Sequence, residues 1–542
     1  MNKNRKAMSA LLASALLATV FAGCSDKNTA EPEKSSAPSA EAGNGGKSLP
    51  IVEKPITIKW YQTNFASGVL QNMGESEGFK ELEKRTGIHI EWQHPSSNDQ
   101  LNVMLASGEY PDVIFWNWSS VPGGLQGMID KEVAIKLNDL IDKYAPNYKN
   151  VLNKYPDVKK FAMLDDGTYP AFFQLDPDPQ RTTYVGHMLR KDWLDKLGLK
   201  QPTTIDEWYT TLKAFKEKDP NGNGKPDEIP YGTSKESFMT SELAAAWGIL
   251  DGFYNDPQSG KMAYGPIQPQ YKEYLATMAK WYKEGLIDSE YASIDNKSLN
   301  AKIQGDLVGS TYGYVGSGLG NNTKAARAKL PNFTLEGVTP PIGPADKAYN
   351  HAGDRIQKVG LSAVITKSSK YQKEIAKLMD YMYSEEGQAL LNWGIEGKSY
   401  TVNNGKKQFT DNILKNSEGK APSQAIVQYA FPINGFTKVM DYEPYQQINF
   451  GLPEQVESVR NWAKGDTALN VPTLSFNSDE SSKLPTIMND INTYKSEMVT
   501  KFIMGVEPIS KFDEFVKKMK DMKIEEATKI NQAAFDRFNS RK

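Results

Sequence analysis

The chain has 542 residues and a mass of 60.4 kDa, too large for one hydrophobic core, so we expect at least two domains. Its net charge of −2 and sequence pI of about 6.2 exclude a global positive field that would hold nucleic acid or an anionic membrane. Hydrophobic residues make up 39% and charged residues 24%, as in an ordinary soluble globular protein.

The first 24 residues have the pattern of a targeting segment. Basic residues precede an apolar run over residues 7–21, which is shorter than the roughly 20 residues that a membrane-spanning helix needs. The run ends in Phe-Ala-Gly-Cys24, which resembles the bacterial lipobox, where the cleaved chain begins with a cysteine that carries diacylglycerol. We expect residues 1–24 to be a lipoprotein signal peptide and Cys24, the only cysteine, to anchor the protein at the outer face of the cell membrane.

Residues 25–50 form a flexible linker in this interpretation. The segment is rich in Ser, Ala, Glu, Pro and Gly and has too few apolar residues to bury a core. Such a linker would let a folded body move above the membrane, so the anchor would be its only contact with the bilayer.

An α/β pattern follows the linker. Alternating apolar residues predict strands at residues 56–60 and 88–92, and the apolar run 113–116 predicts a buried strand. Helical patterns lie between them, so we expect βαβ units and a parallel sheet with ligands beyond the carboxyl ends of its strands. That placement puts Asn64, Asn117 and Trp118 at the edge of a cleft.

The middle of the chain combines a helix start with an oxygen-rich loop. Thr204 and Glu207 have capping-box spacing. In the loop at residues 219–228, the first, third and fifth positions carry Asp, Asn and Asn, and Gly224 falls on the sharp-turn position 6 of a calcium loop. The pattern departs from the EF-hand at position 12, which is Pro230, and a polar turn with solvated acids is the alternative to a calcium site. The candidate metal ligands are Asp219, Asn221, Asn223, Lys225 through its backbone carbonyl, Asp227 and Glu228.

Five segments of the chain together resemble one protein family. They are residues 106–114, 189–232, 281–288, 393–400 and 491–505. The resemblance is to extracellular solute-binding lipoproteins of ABC importers, family 1, in the large oligosaccharide-binding subgroup with an EF-hand-like calcium loop, similar to alginate-oligosaccharide-binding proteins.

This resemblance implies a fold and a division into lobes. The fold would be α/β, of the two-lobed periplasmic-binding-protein type II, each lobe a mainly parallel sheet flanked by helices, with crossover strands between the lobes. Residues 51–178 with 360–430 would form the N-terminal lobe. Residues 179–359 with 431–542 would form the C-terminal lobe, including the calcium loop and terminal helices around residues 487–503 and 509–538.

The function implied is capture of an oligosaccharide in the cleft by hinge closure, without chemistry. The partners implied are two permease subunits with a cytoplasmic ATPase, and a monomer is expected. Aromatic rings would stack on the C–H faces of sugars, and amides and charged groups would bind the hydroxyl rim or a uronate carboxylate. The candidate ligand-binding residues are Asn64, Trp116, Trp118, Gln174, Tyr184, Arg190, Trp247, Tyr314, Arg355, Trp393 and Glu396.

Catalytic motifs are missing from the sequence. None of the four His residues stands in HExxH spacing, and no GxSxG motif occurs, so we do not expect an enzyme. Glycoside hydrolysis needs only a pair of carboxyl groups, and any chain with many Asp and Glu residues offers candidates for such a pair. A secreted, calcium-stabilised polysaccharide hydrolase or lyase is therefore the alternative, and an adhesin or sensor module is a third hypothesis.

Overall fold

The computed structural model describes residues 49–240, 242–350, 361–433 and 435–541. Cys24, the signal segment and most of the linker lie outside these residues, as does Arg355. The strands are β1 Ile56–Tyr61, β2 Ile88–Gln93, β3 Val113–Asn117, β4 Phe172–Phe173, β5 Val185–Arg190, β6 Ile229–Tyr231, β7 Phe253–Asp256, β8 Lys261–Tyr264, β9 Val308–Tyr314, β10 Leu335–Gly337, β11 Leu361–Ile365, β12 Tyr400–Asn403 and β13 Lys406–Phe409.

Helices cover most of the remaining chain. They are α1 Glu77–Thr86, α2 Asp99–Ser107, α3 Gly124–Asp130, α4 Asn138–Tyr144, α5 Pro146–Lys154, α6 Pro156–Ala162, α7 Pro179–Thr182, α8 Lys191–Leu197, α9 Ile205–Glu217, α10 Lys235–Thr240, α11 Pro269–Lys283, α12 Asn296–Gln304, α13 Asn321–Arg327, α14 Gln372–Tyr383, α15 Glu385–Trp393, α16 Asp411–Leu414, α17 Pro422–Ala425, α18 Tyr442–Asn449, α19 Pro453–Trp462, α20 Ser478–Ile503, α21 Phe512–Asp521 and α22 Ile524–Ser540. Among the residues that the structure describes, none of these helices has the length and apolarity to cross a bilayer.

Two main sheets organise the fold. The first has the strand order β2-β1-β3-β11-β4 and the second the order β10-β5-β9-β6. Alternation predicted β1 and β2 correctly, because their apolar residues point to the buried face, as at Ile58 and Trp60, and the continuous apolar run predicted β3, which is buried on both faces. Around each sheet lies a large cluster of buried apolar side chains, and we call these two bodies the first and second lobes.

The sheets are mixed rather than mainly parallel, which corrects that part of the expected fold. In the first sheet, β1 pairs parallel with β2 and β3, but β11 runs antiparallel to β3 and β4. In the second, β5 runs antiparallel to β9 and β10, and only β6 and β9 are parallel. Strand β11 reverses because the chain returns from the second lobe and enters the first sheet at the edge where β1 and β3 end, as the pairing of Leu361 with Asn117 indicates.

A third crossing between the lobes lies near residue 440. Phe431 and Phe436 belong to the core of the first lobe, and Leu175 forms a parallel bridge with Val439. Helix α19 then packs on the second sheet, where the Trp462 indole N–H donates to the carbonyl of His187 at 2.9 Å. These contacts move the expected start of the second lobe's last segment from residue 431 to about 441.

Two predictions about helices had different outcomes. The capping box is present, with the Thr204 hydroxyl accepting from the Glu207 amide and the Glu207 carboxylate accepting from the Thr204 amide. The expected single helix over residues 509–538 is instead two helices, α21 and α22, separated at Lys523, whose φ of 70° is left-handed. The apolar stripe of α21, including Phe512, Phe515 and Met519, is buried in the core as expected.

Candidate functional site

The candidate ligand site lies at one edge of each main sheet. In the first lobe this edge carries the ends of β1, β3 and β4 and the start of β11. In the second lobe it carries the end of β9 and the start of β5, since Tyr314 pairs with Val185. Sequence-predicted residues reach these edges at Asn64, Gln174, Tyr184 and Tyr314.

Tyr184 and Tyr314 form an aromatic platform at the edge of the second lobe. Their ring centroids lie 5.7 Å apart with an interplanar angle of 13°, so the rings are stacked. Tyr314 is 55% exposed. Among the large hydrophobic residues that are exposed in the described ranges, it is the aromatic one. A flat, exposed ring held by a second ring behind it suits the apolar face of a pyranose.

Polar residues at the edge of the first lobe are engaged with the protein itself. The Asn64 amide donates to the carbonyls of Leu70 and Gln71 and its oxygen accepts from the Ala66 amide, so it holds its own loop. Gln174 is buried, and its side-chain oxygen accepts from the backbone amide of Gly435 at 3.0 Å.

Two of the candidate tryptophans lie in or next to β3 and are buried. Trp116 packs against the ring of Tyr61 at 6.0 Å. Trp118 is 2% exposed, and its indole N–H donates to the carbonyl of Ser362 on β11 at 3.0 Å. Trp118 nevertheless begins the wall of a cavity between the lobes, described below.

Two further tryptophans pack in cores away from this edge. Trp247 contacts the ring of Tyr274 in the second lobe at 5.4 Å. Trp393 packs against Phe409 at 4.9 Å and donates its indole N–H to Asp441 at 3.1 Å. Both rings are buried by this packing, and a ligand contact at either of them stays a prediction.

Arg190 lies at the opposite end of β5 from Tyr184. Its guanidinium is 2% exposed, donates to Asp192 at 2.6 and 2.9 Å, and lies 2.6 Å from the carboxylate of Asp306. It also stacks over Phe333 at 4.0 Å. The buried guanidinium is thus paired with two carboxylates at the end of the sheet away from the candidate ligand edge, and a uronate contact at Arg190 stays a prediction.

Glu396 is exposed in the turn between α15 and β12 and bridges to Tyr400 through its backbone. Its charge contributes to the raised pKa of the Tyr400 hydroxyl, after the larger effect of burial. This turn belongs to a small satellite core around Trp393 and Tyr400, so a ligand contact at Glu396 remains an expectation.

A cavity of about 570 Å³ lies between the lobes, and we call it the interlobe cavity. The sequence did not indicate it, because its walls come from segments far apart in the chain. The first lobe contributes residues 118–126, 161, 163–164, 170 and 173, and the second contributes residues 473–476, 481 and 484–485.

An ionic cluster joins the lobes beside this cavity. Asp165, in the loop after α6, accepts from Arg537 at 2.6 Å and from Arg541 at 2.7 Å, both from the C-terminal end of the chain. Arg537 also pairs with Glu480 of α20 at 2.5 Å and donates to the carbonyl of Ser475. We call these four side chains the interlobe ionic cluster.

Buried charges also lie where the chain crosses between the lobes. Arg181 and Asp176 are both buried and paired at 2.9 Å, and the guanidinium stacks over the ring of Tyr445 at 4.4 Å. Lys438 is fully buried, with its ammonium donating to the carbonyls of Leu391 and Phe431. Burial, and then the charge of Arg181, lower the pKa of Lys438 well below its usual value. These paired charges fix the crossover segments against each other.

The loop at residues 219–228 is wound around the carboxylate of Asp219. That carboxylate accepts from the backbone amides of Gly222, Asn223 and Gly224 at 2.9–3.0 Å, and Gly224 has the positive φ that the turn needs. The side-chain amides of Asn221 and Asn223 donate to Asp227 at 3.1 and 3.0 Å.

The donor set of this loop fits a calcium ion. Glu228 has a buried carboxylate oxygen without a hydrogen-bond partner among the described residues, and burial, together with the charges of Asp219 and Asp227, raises its pKa. Three carboxylates close to each other and two Asn side chains are the oxygen-rich surroundings that calcium prefers. As placed in the described ranges, no three acid, His or Cys side chains converge on one metal position, so the loop would have to rearrange for Asp219, Asp227 and Glu228 to bind one ion together with amide and carbonyl oxygens.

Comparisons with known proteins agree with this architecture. The sequence profile of the bacterial extracellular solute-binding protein family matches residues 73–389. The chain is similar to the fructooligosaccharide ABC transporter substrate-binding protein FusA of Streptococcus pneumoniae serotype 4, with 27% identity over 98% of each chain. It is also similar to the lipoprotein LipO of Bacillus subtilis, with 28% identity over 61% of this chain and 65% of LipO. Among solved structures, that of the alginate-binding protein AlgQ2 without calcium ion superposes with a TM-score of 0.65 and 26% identity, over 90% of this chain and all of AlgQ2.

Proposed function

The chain belongs to the bacterial extracellular solute-binding protein family, and from that membership we propose that it captures an oligosaccharide between its lobes and delivers it to an ABC importer. Support for the carbohydrate comes from its similarity over almost its full length to a fructooligosaccharide-binding relative. The partners would be two permease subunits with a cytoplasmic ATPase, and the protein would act as a monomer.

The observation that carries the proposal is the stacked pair of Tyr184 and Tyr314 at the ligand-facing edge of the second lobe. The outer ring is exposed and the inner ring supports it, so a sugar can stack on Tyr314 without moving the core. The exposed side-chain amide of Asn117, at the end of β3 on the facing edge of the first lobe, would then meet the hydroxyl rim after hinge closure.

We further propose that calcium binds the loop at residues 219–228 and stabilises it. Asp219, Asn221, Asn223, Asp227 and Glu228 would hold the ion with their side chains, and Lys225 with its backbone carbonyl. A bound cation would neutralise the acids that crowd Glu228. The loop also touches the buried Arg190 pair, since Asn221 donates to the carbonyl of Asp306 at 3.3 Å. Calcium would therefore stiffen one end of the second sheet and take no part in binding sugar.

Anchoring through a lipid on Cys24 completes the proposal. The lipobox-like end of the apolar run supports it, and so does the similarity to a relative named as a lipoprotein. A captured ligand would then stay close to a permease in the same membrane.

Calorimetry on the full chain, purified in detergent, tests the proposal against the hydrolase alternative. Uronate, pectic, xylan-derived, fructan-derived and neutral glucan oligomers would be titrated, followed by prolonged incubation and a reducing-end assay. We expect one class to bind saturably and to be recovered intact. Release of new reducing ends, or the absence of binding in every class, would contradict the proposal.

A further inference from the structure

We propose that the interlobe cavity accommodates an apolar group, such as an aryl or acyl substituent, carried by the oligosaccharide that the protein binds; this inference rests on the proposed function. The ligand would then be a substituted oligosaccharide, with its sugar residues at the aromatic platform and its substituent in the interlobe cavity.

The lining of the cavity carries no charge. All 21 residues of its walls are apolar, Gly, Ser, Thr or Gln. The cavity therefore differs from a cavity of about 770 Å³ in the second lobe, whose walls include Lys235, Asp251 and Lys495. The walls of this cavity therefore offer no counter-charge to an ammonium ion or a carboxylate.

Most polar side chains of the lining are already bonded within the protein. Ser119 and Ser120 donate to the side chain and the backbone of Asn117, both at 2.7 Å. Gln126 donates to Asp130 at 2.8 Å, and Ser481 donates to the carbonyl of Asn477 at 2.7 Å. A sugar hydroxyl buried here would lose its hydrogen bonds to water and find few partners in return, which is unfavourable. An apolar group would meet no such cost.

Large apolar side chains face this space instead of a core. Leu474 and Phe476 are half-buried, and none of the four core clusters of the described residues includes them. Phe161 of the first lobe also lines the cavity, but its ring packs on Phe173 at the margin of the first core. Apolar residues that line a cavity and pack in no core are the usual walls of a pocket for an apolar ligand group.

The position of the cavity makes it reachable from the sugar site. Trp118 and Ser119 follow directly after β3, at the same edge of the first sheet that faces the ligand. Phe173 ends β4 at that edge as well. A substituent attached to a sugar at the cleft would enter between α3 and the segment at residues 473–476, beside the interlobe ionic cluster.

Matched glycosides test the inference. Once the screen of unsubstituted oligomers has identified the sugar that binds most tightly, its methyl and 4-nitrophenyl glycosides are titrated into the full chain by calorimetry. We expect the 4-nitrophenyl glycoside to bind about ten-fold more tightly or better. Leu474→Asp should abolish this preference and leave the affinity for the methyl glycoside unchanged. Val402→Asp, at a position 44% exposed on the β12–β13 hairpin, is the matched control and should keep the preference.

The outcomes separate this inference from the proposed function. Equal affinities for the two glycosides, or a preference that survives Leu474→Asp, would overturn the inference while sugar binding stands. Failure of every oligosaccharide to bind would overturn the proposed function and the inference with it. If melting shows that Leu474→Asp does not fold, the milder Leu474→Ser is used. It should reduce the logarithm of the affinity ratio between the 4-nitrophenyl and methyl glycosides by at least half.

Discussion

Asp165 of the first lobe accepts from Arg537 of the last helix at 2.6 Å, which ties the C-terminal end of the chain to the lobe that begins it. Arg541, with a side chain 2% exposed, binds the same carboxylate and also donates to the carbonyl of Lys160. The contact lies between bodies that must separate if the protein opens, so its strength influences the balance between open and closed forms.

Replacing Asp165 with Asn should shift that balance towards the open form. The substitution removes a carboxylate shared by two guanidinium groups, and we expect a loss of roughly 1–2 kcal/mol in unfolding free energy, because the cluster is partly exposed. Small-angle scattering without ligand should show a larger radius of gyration. Asp139→Asn, at an acid 89% exposed beside Lys143, is the control and should change neither quantity. An unchanged radius would show that the cluster does not hold the lobes together.

Tyr314→Ala should weaken oligosaccharide binding by about 1–3 kcal/mol if the ring stacks on a sugar. Tyr314→Phe keeps the ring on Tyr184 and should retain most of the affinity. Calorimetry with the best oligomer measures both variants, and thermal melting confirms that they fold. Equal affinities for Ala and wild type would remove the platform from the ligand site.

Removal of calcium should lower the melting temperature of the protein. EGTA would leave the acids around Glu228 without a counter-ion, whereas a cation that binds only the folded state stabilises it by RT ln(1 + [Ca²⁺]/Kd). Asp219→Asn should abolish the difference between melting with calcium and with EGTA. Asp206→Asn, at an exposed acid on α9, should preserve it. A difference that persists in Asp219→Asn would place the ion elsewhere.

Asp380 should make the protein more stable at mildly acidic pH. Burial raises the pKa of this carboxyl from 3.8 to about 6, against the hydrogen bonds that it accepts from Tyr148 and Asn147. Because the pKa is raised in the folded state, the Asp380 carboxyl contributes fully to the free energy of unfolding below pH 3.8. This contribution, roughly 3 kcal/mol, is lost as the pH rises through 6. In Asp380→Asn this pH dependence should disappear, so its stability relative to wild type should rise from pH 4 to pH 7. Denaturant titrations measure this, and Asp411→Asn, at an exposed acid, should show no such trend.

His187 should give the stability of the protein the opposite pH dependence to that of Asp380. Burial lowers its pKa to about 3, so the folded protein holds the neutral ring while the unfolded chain takes up a proton below pH 6.5. Stability should therefore fall as the pH decreases from 6.5, by about 2 kcal/mol at pH 5. In His187→Gln the loss between pH 7 and pH 5 should be smaller by that amount. The same loss in variant and wild type would contradict the assignment.

Local patterns in the sequence predicted the local structure well. Alternation predicted β1 and β2, a continuous apolar run predicted β3, and the spacing of Thr204 and Glu207 predicted the start of α9. The left-handed break at Lys523 was missed, because neither Gly nor Pro marks it. The direction of β11 depends on where the chain returns from the second lobe, and periodicity carries no information about that.

The candidate site was harder to predict, because burial depends on distant partners. Nothing near Trp393 in the sequence shows that Phe409 and Asp441 will enclose it. Arg190 finds a partner in Asp306, more than a hundred residues later. Tyr314, by contrast, was correctly expected at a strand end, but whether it contacts ligand stays a prediction.

The three crossings between the lobes have a consequence for how the nascent chain folds. Phe436 belongs to the same core as β1, although the two lie far apart in the chain. Helix α19 likewise packs on the sheet that contains β5 and β10. A chain that has left the ribosome only as far as residue 430 therefore lacks part of both lobes, since Phe431 and Phe436 of the first core and α19 of the second lobe come later. Neither lobe can fold as an independent unit during synthesis, and chaperones would have to protect exposed apolar surface until the final helices emerge.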